Sequence, residues 1–205
     1  MNKILSNLEK NNFSVFFTQT KQEAVEKALS LIPLNSTIGF GGSMSVEQIG
    51  LKEALVKGEK QGKYKLYDQY KPGISREKNL AIRYKGMQAD VFITGTNAIT
   101  EKGELVNIDG FGNRVAAQIC GPKKVVIIAG KNKVVKNYEQ AIKRIKRIAA
   151  PLNAKRLNKK TPCVRTGRCM SCDSVDRICN YTTIIHKSRP EDRISVIIVN
   201  QDLGL

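Results

Sequence analysis

The stretch "TIGFGGSMSVEQIG", Thr37 to Gly50, sets three glycines within four residues, behind a short apolar run and ahead of a helical period. "STIGF" reads as a buried strand, and "SVEQIGLKEALVKG" as a helix with Ser45 as its cap and Gly58 as its stop. The result is a strand, a glycine turn and a helix in succession. Gly39, Gly41 and Gly42 remove side chains where the chain turns, and Ser43 and Ser45 place hydroxyls beside the helix start. Free N–H groups and the positive helix end at such a turn suit a phosphate or carboxylate. A tight turn alone also asks for glycine. The spacing is neither G-x-G-x-x-G nor G-x-x-x-x-G-K-[ST], so a dinucleotide or P-loop site is not supported.

Outward from this unit, helical and strand periods alternate. "TKQEAVEKALSLI" opens on a Thr20/Glu23 capping box and ends at Pro33. "KYKLYD" alternates as a half-buried strand, "SREKNLAIRYKGM" reads as a helix, and "DVFITG" and "KKVVIIAG" as fully buried strands. "AITEKGELVNI" is a hairpin turning at Lys102 and Gly103, and "YTTIIHK" and "ISVIIVN" are two further strands. Strands alternating with helices of this length predict an α/β fold, a mainly parallel sheet with helices on both faces. At 205 residues the chain is expected to form one domain over 1–205, with a candidate internal boundary between Pro151 and Pro162. The opening "MNKILSNLEKNNF" lacks the features of a signal peptide, and no apolar run approaches the ~18 residues of a membrane span. A soluble, cytoplasmic protein is expected.

The formal net charge is +17, and Lys131 to Lys160 hold eleven Lys or Arg against Glu139 alone. In the helix there, Val135, Tyr138, Ala141, Ile142, Ile145, Ile148, Ala149 and Leu152 recur at three- and four-residue steps, so the basic residues are expected on its solvated face. With Tyr138 the one aromatic in the run, nucleic-acid binding is the lesser reading. The run "TGTNAITEKGELVNIDGFGNR" gathers Asn97, Glu101, Glu104, Asn107, Asp109, Asn113 and Arg114 between two apolar strands, where a scaffold fixes loops that carry function. A carboxylate in it becomes a base or nucleophile if burial raises its pKa.

Cys163, Cys169, Cys172 and Cys179 form C-x5-C-x2-C-x6-C within residues 161–180. In a reducing compartment this pattern reads as a metal site, with a redox dithiol the lesser alternative. Cys120 is expected to be a small buried residue, and His186, the single histidine, a strand-end residue with a local hydrogen bond.

The ordered set "IGFGGSMS", "TGTNAITEKGELVNIDGFGNRVAA", "GPKKVVIIAGKNKVV", "AAPLNAKRL", "TPCVRTGRCMSCDSVDRICN" and "VIIVNQDLG" resembles the LUD-domain family, lactate-utilization protein C type, over nearly the whole chain. The resemblance implies a fold related to ribose-5-phosphate isomerase and the CoA transferases, with the ligand lined by Gly39, Gly41, Gly42, Ser43 and Ser45 and by Asn97, Asn107 and Asn113. The CoA transferases' glutamate nucleophile has two candidate counterparts, Glu101 and Glu104; Glu101 and Asp109 are the acid–base candidates. It further implies an oxidoreductase component of L-lactate or related hydroxy-acid oxidation, working with iron–sulfur subunits. In that setting the four cysteines would hold a four-iron, four-sulfide (4Fe-4S) cluster, with zinc as the alternative. The competing expectation is a noncatalytic, zinc-stapled basic module that binds RNA or an acidic partner through residues 131–160. A homo-oligomer is compatible with either.

Overall fold

The computed structural model describes residues 1–205. Six strands form one parallel sheet: β1 (Ser14–Thr18), β2 (Thr37–Phe40), β3 (Lys65–Tyr67), β4 (Val91–Gly95), β7 (Lys124–Gly130) and β10 (Ile194–Val199), in the order β1-β10-β7-β4-β2-β3. The central strands are the near-continuous apolar runs, as sheets covered on both faces require. In β7 the side chains alternate between two cores. Val126 and Ile128 meet Ala24 and Ala28 of α2 (Lys21–Ser30) and Leu51 and Leu55 of α4 (Leu51–Lys60) on one face. Val125 and Ile127 meet Leu8 of α1 (Asn2–Lys10), Phe13, and Ala117 of α6 (Asn113–Ile119) on the other. Each fully buried side chain of this size contributes roughly 1.5–3 kcal/mol.

On the second face lies a four-stranded sheet, β8-β5-β6-β9, built from β5 (Ala98–Thr100), β6 (Leu105–Asp109), β8 (Val134–Val135) and β9 (Tyr181–Ile185). The hairpin is as expected, with Ala98 opposite Val106 and Gly103 in the left-handed region at its turn. Ile99 and Leu105 face the main sheet; Ala98 and Val106 face Ala141, Ile145 and Ala149 of the basic helix. That helix runs through α7 (Tyr138–Arg144), a π-helical stretch Ile145–Ala149, and α8 (Ala150–Arg156). Pro151 has no N–H to give to the preceding turn, which accounts for the widening. The carbonyl of Lys146 accepts instead from the backbone N–H of Cys169 at 2.9 Å, which ties the cysteine segment to the helix.

Several expectations are corrected. The helix after the glycine turn is two helices, α3 (Met44–Gln48) and α4, broken at Gly50, whose φ is +79°. Ser43, not Ser45, is its cap, accepting from Val46 N. Gly58 is inside α4, bare because the Tyr64 ring lies against it, and the helix stops at Gln61 and left-handed Gly62. Tyr138, Ile148 and Leu152 are exposed, so the buried stripe of the basic helix is narrower than its period. Arg144 and Lys133 go inside instead of joining the solvated face. Cys120 is exposed, because it stands just past the end of α6. No helix is long and apolar enough to cross a membrane.

Candidate functional site

A parallel sheet presents all its strand carboxyl ends on one edge, where ligands of such folds sit. Above that edge lies a cavity of about 800 Å³. Its walls come from the turn after β2 (Gly42, Ser43), Tyr70 beyond β3, Thr96 and Asn97 beyond β4, and Lys133 beyond β7. The small sheet and α6 add Asp109, Asn113 and Arg114, the π-helical stretch adds Ile145 and Ala149, and the cysteine segment adds Arg177 and Cys179. The glycine turn and the cysteine segment therefore face one space.

Arg114 organises the floor. Its Nε donates to Asp109 Oδ2 at 2.8 Å, one terminal nitrogen to Asn107 Oδ1 (2.6 Å) and Gly95 O (3.3 Å), and the other to Ile108 O (2.9 Å) and Asn97 Oδ1 (3.2 Å). All five of its N–H groups are spent on protein acceptors. Asn107, fully buried, also accepts from Asn97 N and donates to Gln118 Oε1. Asp109 Oδ1 accepts from Gly112 N at 2.6 Å, so both of its oxygens are engaged.

Lys133 is different. It is 4% exposed, and its Nζ donates to Thr96 O at 2.9 Å as its one protein hydrogen bond, with no carboxylate partner. Burial, and then the positive charges of Arg144 and Arg114, push its ammonium down to about 7. Arg144 is held by the carbonyls of Asn132, Asn97 and Leu205. Beside Lys133 the chain is glycine: a Cβ on Gly204 would stand 3.1 Å from Nζ and 2.5 Å from Ser45 Oγ, a buried hydroxyl with no hydrogen-bond partner. Tyr70 closes the glycine side, where a Cβ on Gly42 would come within 2.8 Å of its Oη. Burial raises the Tyr70 phenol, opposed by the Gln69 side chain and by Arg83 and Arg156.

The charge balance of the walls is one-sided. Arg76, Arg83, Arg114, Lys133, Arg156, Lys159 and Arg177 line the cavity against two acidic side chains, Asp109 and Asp176. Asp109 is committed to Arg114, and Asp176 accepts from Lys160 N and pairs with Lys159.

Of the residues singled out from sequence, Gly42, Ser43, Asn97, Asp109, Asn113, Arg114 and Cys179 line the cavity. Gly39 lies in β2 against the backbone of Gly86 in α5 (Arg76–Met87), and Gly41 against the Thr94 and Arg114 side chains, so both glycines serve packing. Ser45 is buried beside Gly204, and Asn107 belongs to the Arg114 network below the floor. Glu101 and Glu104 are at the far end of the hairpin from Asp109. There Asn7 Nδ2 donates to Glu101 O, and Glu104 accepts from Thr100 Oγ1 and sits 2.8 Å from His186 Nδ1. Sequence reading missed Tyr70, which stands in a loop beyond β3, and it missed Lys133 and Arg144, since a basic residue in a basic run carries no local sign of being buried.

Cys163 lies in α9 (Pro162–Thr166), with Cys169, Cys172 and Cys179 on the following loop. Ser171 N donates to Cys169 Sγ at 3.4 Å, and Arg177 donates to the carbonyls of Cys172 and Cys179. The four are neighbours: burial raises the Cys179 thiol to about 11, and Cys169, Cys163 and Cys172 add to the rise. No group of three or more His, Cys, Asp and Glu side chains is arranged to hold a metal ion.

A family model described as the LUD domain matches residues 1–199. No curated protein matches the chain. The crystal structure of a DUF162 family protein from Deinococcus radiodurans is similar at a TM-score of 0.54 and 14% identity, covering 97% of this chain and 95% of that one. At that identity the likeness is one of fold. The delta subunit of eIF2B from Chaetomium thermophilum gives a partial likeness, with a TM-score of 0.36 and 19% identity over 60% of this chain and 50% of that one.

Proposed function

The chain belongs to the LUD domain family, associated with lactate utilization, and from that premise we propose that its cavity binds a small carboxylate-bearing anion of the hydroxy-acid and oxo-acid class. The observation that carries this reading is the wall charge, seven cationic side chains facing two acidic side chains that are already paired. An anion entering this space meets a positive wall and, at Lys133, one buried donor with unused hydrogens. Lys133 Nζ keeps two hydrogens for it, while Arg114, fully engaged, contributes field and a rigid floor. Tyr70 and Gly42 set the width of one side. Asp109 acts as a positioning residue for Arg114, and a general-base role for it would first have to break that 2.8 Å pair. Glu101 does not line the cavity, which leaves it outside this reading.

The second part of the proposal is a metal centre on Cys163, Cys169, Cys172 and Cys179. The donor set fits in number and kind, four thiols with a backbone N–H to one sulfur and Arg177 nearby. Its side chains do not converge on one point, so holding a metal requires residues 167–180 to close. A 4Fe-4S cluster there would supply one-electron transfer next to the cavity, and zinc a structural tie. Partner iron–sulfur subunits would complete an electron path. A nucleic-acid role through residues 131–160 is weakened, because Lys133 and Arg144 are buried and Arg156 and Lys159 face the cavity.

Calorimetric titration with L-lactate, pyruvate and phosphate tests the first part. Saturable binding that is lost in Gly42→Val supports it; no heat with any of the three overturns it. A ligand at 100 times its Kd adds about 2.7 kcal/mol to stability, which thermal melting reads independently.

A further inference from the structure

We infer that Lys133 is a carbonyl-reactive amine, and that the cavity takes a small 2-oxo acid whose carbonyl carbon condenses with Nζ to form an imine. This deepens the anion-binding proposal and rests on it.

Placement is the first ground. Nζ belongs to a side chain that lines the cavity, at the carboxyl end of β7, yet is nearly withdrawn from water. The second ground is its lack of a counter-ion. Buried lysines are ordinarily paired, and this one has a single carbonyl, Thr96 O, as acceptor. The charged groups that face it are Arg114 from α6 and Arg144 from α7, both positive. The acidic side chains nearby act on those arginines: Asp109 is bound to Arg114, and Asp202 acts on Arg144. Desolvation beside other cations is the arrangement that turns a lysine into a nucleophile. An amine at about 7 is half unprotonated at neutral pH, where an ordinary lysine holds under about 0.1% of that form. The third ground is room at the reacting atom, since Gly204 stands where any side chain would press on Nζ and on the unpartnered Ser45 hydroxyl.

The step balances without any oxidant. The lone pair of Nζ forms the N–C bond as the carbonyl π electrons move to oxygen. One N–H proton passes to that oxygen, giving a carbinolamine. The C–O bond then breaks, the second N–H proton leaves with the hydroxyl as water, and the C=N bond remains. The rim cations hold the carboxylate of the oxo acid during these transfers. The product imine, once protonated from solvent, withdraws electrons from the adjacent carbon and loosens its hydrogens.

The test is incubation with pyruvate and sodium cyanoborohydride over a pH series, followed by peptide mapping. The expected result is one adduct, of the mass of pyruvate less water plus two hydrogens, on the Lys133 peptide. Its rate of formation should rise through about pH 7. Lys133→Met should lose it while keeping the circular dichroism of the parent. Adducts spread over exposed lysines, equally in the parent and Lys133→Met, overturn the inference. Pyruvate binding by calorimetry with no Lys133 adduct also overturns it and leaves the anion site standing; absence of binding removes both. Exchange of the pyruvate methyl hydrogens for deuterium, followed by proton NMR and lost in Lys133→Met, is the second supporting readout.

Discussion

Replacing Lys133 with methionine should change the sign of its effect on stability with pH. In the folded chain the Lys133 ammonium is lowered from 10.5 to about 7. Each pH unit between those values is worth ~1.4 kcal/mol, so holding the charge inside costs about 5 kcal/mol below pH 7. Between pH 7 and 10.5 the unfolded chain binds the proton that the folded one has released, so this contribution makes stability rise with pH across that window. Methionine is similar in length and carries no charge, and it removes the whole slope. It also removes the bond to Thr96 O, stranding a buried carbonyl at a cost of roughly 1–3 kcal/mol. Lys133→Met should therefore be more stable than the parent by about 2–4 kcal/mol at pH 6, and less stable by about 0–2 kcal/mol near pH 10. Urea denaturation followed by circular dichroism at pH 6, 8 and 10 reads the difference directly. A difference that stays constant across the series would refute the reasoning, because the ammonium would then be compensated in the fold. A lysine that costs stability in this way is the mark of a residue kept for function.

Other outcomes follow from the same contacts. Arg114→Ala leaves the half-buried Asp109 without its ion-pair partner and frees four further acceptors, so a loss of about 3–5 kcal/mol is expected in urea denaturation. Gly39→Ala drives a Cβ into the backbone of Gly86 and should lower stability by about 1–3 kcal/mol with ligand titration otherwise unchanged. Gly42→Val meets only the end of the Tyr70 side chain, so it should spare the fold and abolish the binding heat; intact binding would argue against the turn as a wall of the site. Cys169→Ser with Cys172→Ser should lose the bound metal of the anaerobically purified protein. Loss of a broad visible absorption band with iron and sulfide would identify a cluster, loss of colourless zinc a staple, and metal-free parent protein would rule out both.

The legible part of the fold was its apolar grammar. "DVFITG", "KKVVIIAG" and "ISVIIVN" are central strands because only a sheet covered on both faces accepts unbroken apolar runs. The Thr20 capping box and the Gly103 hairpin are local devices, readable from a few neighbouring residues. Less legible were α1, which buries only Ile4 and Leu8, and α6, seven residues long and too short to show a period. "YTTIIHK" looks like its neighbour "ISVIIVN", yet β9 pairs with β6 in the small sheet while β10 enters the large one.

By itself the sequence determined the kind of protein: an α/β chain with a glycine turn at a strand end, four grouped cysteines, and the ordered segments of the LUD domain family. Tertiary structure alone decided which of its many charges matter. Gly39 and Gly42, three residues apart, divide into a packing contact and a cavity wall because alternate residues of a strand and its turn face opposite ways. Lys133 and Arg144 read as members of a solvated basic run, and became the buried charges of the site only when β7 and the basic helix closed over Thr96 and Asn97. A side chain's chemistry is written in the sequence, but its desolvation depends on partners far along the chain. For Lys133 that desolvation is what separates a reactive amine from a soluble one.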